Sequence, residues 1–244
     1  MILLRKKRNK DSEKKRSLFQ KITTVVKWCV IAFFASTLLF VVLYRFVNPP
    51  ITTFMAYQTT SRLIKGQNAR FEKKWVPIEN ISPKMIRAVI AAEDNRFVNH
   101  WGIDTKAIDE AIEHNKRGKN THGASTISQQ TAKNVFLWPS RNIIRKGLEF
   151  YFTLLIEWIW GKQRIMEVYL NVVETGKNFY GVEKAAQNYF HTSCSGLTDS
   201  QAALIAATLP SPQRYNPVNP GNYLASRRDQ IVSLMYKIET LTVK

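Results

Sequence analysis

Residues 82–94 read SPKMIRAVIAAED, and within them a helix shows both its start and its buried face. Ser82 offers a side-chain oxygen to the orphan amides of a first turn, and Pro83 at the first helical position gives up an amide that would be unpaired anyway. Ile86, Val89 and Ile90 then fall on one stripe, which predicts a helix running to Asp94 with that face in a core. The same reading extends outward. Thr126 with Gln129, and Thr198 with Gln201, form capping-box patterns that open two further helices. A long apolar helix is expected over 140–160, another over 162–171, and alanine-rich ones over 181–187 and 201–208. The last carries Ile231, Leu234, Met235, Ile238 and Leu241 on one stripe. Residues 71–81 (FEKKWVPIENI) have no helical period, so strands are expected to be few and short. The predicted fold class is mainly α, with no internal repeat and no low-complexity tract.

Charge and hydropathy divide the 244 residues into unequal parts. The chain holds 36 Lys and Arg against 18 Asp and Glu, a formal charge of +18. Such an excess points to nucleic acid or to an anionic membrane surface. Ten of the basic residues lie in 1–27 against only Asp11 and Glu13, and the uncharged run 28–44 (WCVIAFFASTLLFVVLY) follows directly. Seventeen helical residues rise about 26 Å, near the lower limit for crossing a bilayer. Trp28 and Tyr44 suit the two interfaces. The run is long for a signal peptide, and the following FVNPP offers no small-x-small cleavage site, so a retained anchor is expected. The expected organisation is a basic cytoplasmic tail over 1–27, a transmembrane anchor over 28–45, a membrane-proximal linker over 46–74 and an external domain over 75–244. The positive-inside rule sets that orientation. Cys29 lies in the anchor and Cys194 is alone beyond it, which excludes a disulfide scaffold. With the anchor adjacent, lipid is the better partner for the basic tail, and no nucleic acid is expected.

Several polar residues stand where packing alone would not put them. Glu93 lies three residues after Ile90 and four after Val89, on the apolar stripe and at the helix C-terminus. Burial and the negative dipole end both raise a carboxyl pKa toward the range of a general base. The stripe alone is equally compatible with a Glu paired to a core arginine or to backbone amides. In residues 123–130 (GASTISQQ), the capping box accounts for Thr126 and Gln129 but leaves Ser125, Ser128 and Gln130 without a role. That cluster suits hydrogen bonds to sugar hydroxyls or phosphate oxygens at a helix N-terminus. Lys133 precedes a helix on which Arg141, Arg145 and Glu149 are spaced four apart and share a face, read either as a solvated ion-paired surface or as an anion site. His100, His114, His122 and His191 show no metal-ligand spacing, and no GxSxG, Walker or GxGxxG motif occurs.

Taken in order, these segments resemble the peptidoglycan glycosyltransferases, the family shared by monofunctional biosynthetic transglycosylases and class A penicillin-binding proteins. Residues 93–102 (EDNRFVNHWG) are similar to its ED-x-x-F-x-x-H-x-G, and 123–134 (GASTISQQTAKN) to its G-x-STI-x-QQ-x-x-KN. Residues 145–149 (RKGLE) are similar to RK-x-x-E, and 162–171 (KQRIMEVYLN) to K-x-x-I-x-E-x-YLN. QAAL at 201–204 and YNP at 215–217 complete the series. Ala124 and Ser128 stand where the family commonly has glycine and threonine.

The resemblance implies a lysozyme-like helical glycosyltransferase domain behind one N-terminal transmembrane helix. It implies transfer of the growing glycan from its polyprenyl pyrophosphate to the 4-hydroxyl of lipid II, with inversion, giving β-1,4 links. Glu93 is then the general base and Glu149 the second carboxylate. Asp94, Phe97, His100, Ser125, Thr126, Gln129, Gln130, Lys133, Asn134, Arg141 and Arg145 are the expected substrate-binding residues, with Glu167 and Asn171 in support. No organic cofactor is expected, and a divalent cation (Mg2+ or Mn2+) is allowed as a bridge between phosphates, with no certain metal ligand. Expected partners are lipid II, nascent glycan, membrane lipids, and other cell-wall synthesis or division proteins. The expected location is a bacterial inner membrane, with the catalytic domain on the periplasmic side and with Phe136, Leu137 and Trp138 dipping into the interface. A glycan-cleaving hydrolase or lytic transglycosylase, and a non-enzymatic anchored scaffold, are the alternatives.

Overall fold

The structure, a computed structural model, describes residues 2–116, 118, 123–140 and 142–243, with side chains from Phe19 onward. Arg141 and His122 lie outside the described residues. The chain forms two compact units, residues 1–44 and 45–244. The first is most of one helix, α1 (Ile2–Phe46), whose segment Phe19–Phe46 is the one helix among the described residues long and apolar enough to cross a membrane.

The second unit is helical with a small sheet. Residues 53–64, read from sequence as linker, form α2 (Thr53–Ile64), with Thr52 Oγ1 accepting from the Met55 amide. Its sequence TFMAYQTTSRLI is rich in β-branched residues, so propensity gives little warning of it. Burial of Met55 and packing on a later helix supply the stability instead. Helix α3 (Pro83–Glu93) begins on Ser82 as expected, and α4 (Thr105–Lys116) begins where Asp104 accepts from the Ala107 amide.

Helices α5 (Ile127–Phe136), α6 (Ile143–Ile159), α7 (Gly161–Val172), α8 (Val182–Phe190), α9 (Asp199–Thr208) and α10 (Asn222–Met235) complete the unit. Both capping boxes form, at Thr126 and at Thr198. Three short strands, β1 (Glu72–Lys73), β2 (Glu174–Gly176) and β3 (Phe179–Tyr180), pair in the order β1-β3-β2, with β1 parallel and β2 antiparallel to β3.

Several boundaries differ from the sequence reading, among them the end of α8, which runs to Phe190 and not to residue 187. Helix α6 starts at Ile143 on the Asn142 cap, not at residue 140, and the four-residue spacing holds for Arg145 and Glu149. Helix α10 stops at Met235, leaving Ile238 and Leu241 outside it, in a tail where Ile238, Thr240, Thr242 and Val243 disfavour helix.

Two groups of helices frame the site. Helix α3 packs on α9 and α10, where the fully buried Ala202, Ala203 and Ala206 permit close approach to Met85, Val89 and Ile90. Helix α5 packs on α2, α6 and α7 through Ile127, Ala132 and Val135. The long helix α6 is only half a core helix. Phe152, Thr153, Ile156 and Glu157 are buried, whereas Ile143, Ile144, Phe150, Leu154 and Trp158 are exposed. Leu137 is buried and Phe136 stacks on Phe152 at 4.6 Å, so of the three residues expected at the membrane interface only Trp138 is exposed.

A close approach at Gly102 joins α6 to the site. Gly102 adopts φ +78°, and a Cβ there would meet Thr153 Cγ2 at 2.6 Å and Glu157 Cγ at 2.9 Å. Gly102→Ala is therefore expected to lower stability by at least about 2 kcal/mol, through backbone strain and overpacking together. Urea unfolding of the two proteins measures this, and an unchanged midpoint would contradict the packing described.

Candidate active site

Glu93 ends α3, and its half-buried carboxylate faces α5. Gln130 Nε2 donates to Glu93 Oε2 at 2.7 Å, while Gln130 Oε1 accepts from the fully buried Tyr169 hydroxyl at 3.2 Å. The tyrosine thus fixes which end of the amide faces the carboxylate. Burial raises the Glu93 pKa above the ordinary carboxylate value, opposed by the Gln130 bond and by the charges of Arg227 and Lys133, with Asp94 adding to the rise. A carboxylate with a raised pKa is a stronger base once it has lost its proton, as proton abstraction from a sugar hydroxyl requires.

Behind it, Asp94 is buried and ties three segments together. His100 Nε2 donates to its two oxygens at 3.0 and 3.1 Å, and the Ile127 amide donates to Oδ2 at 3.0 Å. Asp94, His100 and Asp104 offer atoms within 4.8 Å of one another. Asp94 is engaged by His100 and Ile127, and Asp104 by Arg96 and the α4 amide, so this cluster forms an internal hydrogen-bond network. Phe97 is fully buried, with Lys162 Nζ 4.5 Å from its ring centroid. Thr126 is buried, its Oγ1 donating to Gly102 O at 2.6 Å and accepting from the Gln129 amide. Phe97, expected to bind substrate, lines none of the cavities and backs the site, whereas Thr126 lines a cavity of about 350 Å³ that also holds Glu93.

The second charged group lies one turn along α5. Glu149 is buried on α6; Arg145 Nη1 donates to its Oε2 at 2.5 Å and Lys146 Nζ donates to its Oε1. Lys133 is half-buried, and burial lowers its pKa while the Glu149 charge counteracts this. With Ser125, Gln129 and Gln130 these residues line a cavity of about 130 Å³. Its three cations outnumber its one carboxylate, and Arg145 Nε is buried without an acceptor, as suits an anionic ligand. A neighbouring cavity of about 540 Å³ holds Glu93 and shares Ser125 and Gln130 with the first, so base and cations face a common cleft.

Asn134, expected to bind substrate, and Glu167 and Asn171, expected in support, complete the set. Asn134 is buried on α5. Asn171 exchanges bonds with the Val76 backbone at 2.8 and 2.9 Å, and Glu167 accepts from Trp75 Nε1 at 3.1 Å. Three site residues were not singled out from sequence: Lys146, Tyr169 and Arg227. The i,i+3 spacing of Lys146 to Glu149 was the available signal for the first. Tyr169 and Arg227 need the tertiary fold.

Comparison with known proteins gives a concordant picture. The transglycosylase family model matches residues 60–236. A biosynthetic peptidoglycan transglycosylase of Bdellovibrio bacteriovorus is 50% identical over 218 residues, covering 89% of this chain and 87% of the relative. One of Bacteroides thetaiotaomicron is 48% identical over 216 residues, covering 88% and 87%. A third, of Caulobacter vibrioides, is 50% identical over 191 residues, covering 78% and 81%.

Proposed function

The chain belongs to the transglycosylase family, that of the peptidoglycan glycosyltransferases, and from that premise we propose that Glu93 is the general base and the Lys133, Arg145, Lys146 and Glu149 cluster the pyrophosphate site of its reaction. The enzyme polymerises peptidoglycan glycan on the family's lysozyme-like helical fold. Its substrate in this reading is lipid II. The growing chain leaves its polyprenyl pyrophosphate and joins the 4-hydroxyl of the incoming lipid II. Glu93 takes the hydroxyl proton, the oxygen attacks the anomeric carbon from the face opposite the leaving group, and the link formed is β-1,4. Pyrophosphate is a good leaving group once its charge is met, so cations take the place of an acid catalyst.

The observation that carries this reading is the cavity of three cations and one carboxylate sharing Ser125 and Gln130 with the cavity of Glu93. A glycan hydrolase or lytic transglycosylase has no use for that charge, and a scaffold has no use for a buried, raised carboxyl. Among the described residues Glu149 is the sole carboxylate lining the cation cavity and both its oxygens are paired, so this cavity offers no cage for a metal. Mg2+ or Mn2+ would arrive as the counter-ion of the pyrophosphate.

A lipid-borne substrate also requires the site to work at a membrane. The N-terminal apolar helix fits a membrane anchor. In this proposal the tail of 1–27 is cytoplasmic, the domain lies on the periplasmic face of the inner membrane, and the exposed Ile143, Phe150, Leu154 and Trp158 rest on lipid. Other cell-wall synthesis or division proteins are its proposed neighbours.

The test is incubation of detergent-solubilised full-length protein with labelled lipid II. Long β-1,4 glycan with released polyprenyl pyrophosphate is expected. Shortening of preformed glycan with no polymer would transfer the assignment to the hydrolase alternative.

A further inference from the structure

Helix α10 repeats the anomaly that marks α3. Its buried side chains are Leu224, Ile231 and Met235, and Arg227 stands three residues after the first and four before the second, on the same face. A guanidinium on an apolar stripe requires a partner. Helix α10 packs on α3, and Arg227 Nη2 donates to the carbonyl of Ala92 at 3.1 Å, one of the last-turn carbonyls that no amide of α3 can satisfy. Arg227 Nη1 reaches Gln230 Oε1 at 3.3 Å, which restrains the guanidinium from its own helix. Arg227 also lines, together with Glu93, both the 540 Å³ cavity and a second cavity of about 350 Å³ toward α4.

We propose that Arg227 is a positioning residue for the base: it clamps the final turn of α3 and sets its positive charge beside the Glu93 carboxylate without touching the reacting atoms. The proposal rests on the reading of Glu93 as the general base. Without Arg227 the negative end of the α3 dipole and the neighbouring Asp94 would both act against the Glu93 charge, and no basic residue occupies the last turn of α3 itself. The other groups facing Glu93 are Lys133 and the neutral Gln130 from α5, the un-ionised Tyr169 from α7, and, across the 350 Å³ cavity, Arg96, Asp104, Glu110 and His114. Of these Arg96 is paired with Asp104 and Glu110, and α9 presents only Ala206 and Ala207 to the 540 Å³ cavity. Lys133 is shared with Glu149 and Arg96 is paired with Asp104 and Glu110, so among the described residues Arg227 is the cation that lines both cavities beside the base with no carboxylate partner of its own.

The test is the pH–rate profile of lipid II polymerisation by the full-length protein and its Arg227→Gln, Arg227→Met and Arg227→Lys variants, with Glu93→Gln alongside. The methionine keeps the apolar stem, so a folded charge-free variant is available if the glutamine variant is unstable. Loss of the cation raises the base's pKa, so the acid limb is expected to move up by about one pH unit, a tenfold loss below the limb that largely recovers on the alkaline plateau. Lysine is expected to restore at least half of that displacement. A wild-type acid limb in both charge-free variants, whatever their rates, would overturn the proposal, as would a lysine limb displaced as far as theirs. Polymerisation by Glu93→Gln would instead remove the base assignment itself, an outcome read separately from any Arg227 profile.

Discussion

Glu93→Gln is expected to stop glycan polymerisation, by about a thousandfold or more, while making the folded protein more stable at neutral pH. The two effects share one cause. The carboxyl is held where burial disfavours its charge, and only the Gln130 bond and the charges of Arg227 and Lys133 offset this. Its pKa in the folded state therefore lies above its unfolded value. The stabilisation attached to the protonated form is complete below the unfolded carboxylate pKa of about 4.3 and is lost as pH rises through the folded value. Above that folded value the enzyme carries an ionised group that its own fold disfavours. Glutamine keeps the shape and can still accept from Gln130 Nε2, but it cannot take a proton from the acceptor hydroxyl. The melting temperature is expected to rise by about 3 °C at pH 7 and to match wild type near pH 4. Calorimetry at the two pH values, beside a lipid II assay, measures both. Full polymerase activity in the variant, or a lower melting temperature at pH 7, would contradict this account.

Glu149→Gln is expected to cost about a hundredfold to a thousandfold in turnover, by loosening the groups that meet the leaving pyrophosphate. Glu149 is almost fully buried, with Arg145 on one oxygen and Lys146 on the other, and its charge opposes the burial that lowers the Lys133 pKa. Without it, three cations repel one another across a small cavity and Lys133 releases its proton more readily. The protonated lysine persists at low pH and is lost as pH rises through its lowered pKa, so the alkaline limb of the rate profile moves to lower pH. Rates between pH 6 and 10, with melting curves to confirm folding, measure the shift. A tenfold smaller loss with an unmoved alkaline limb would leave Glu149 a packing residue only.

What could be read in advance followed the range over which each signal acts. Ser82, Thr126 and Thr198 cap helices through bonds to amides two or three residues away, and their starts were legible to the residue. Helix α2 was not, because its stability comes from Met55 and α5 rather than from its own composition. Within the site, Glu93 was legible as a charge on an apolar stripe. Arg227 obeys the same rule on α10, and its meaning emerges only when the two stripes face each other. Phe97 belongs to the same motif string as Glu93, and a string does not distinguish a residue that touches substrate from one that supports it. Burial draws that distinction, as does the Tyr169 bond that orients Gln130.

Helix α5 sets a spacing on which the reaction depends. Gln130 holds the base and Lys133 faces the anion cavity, three positions apart on a helix that rises about 1.5 Å and turns about 100° per residue. The site that accepts the proton and the site that neutralises the departing phosphates are thus separated by slightly less than one helical turn. Side-chain exchanges elsewhere on α5 leave that offset untouched. A single residue inserted or deleted between 130 and 133 would swing one end away from the cleft by roughly a quarter turn, uncoupling bond formation from bond cleavage while keeping every functional group in the chain.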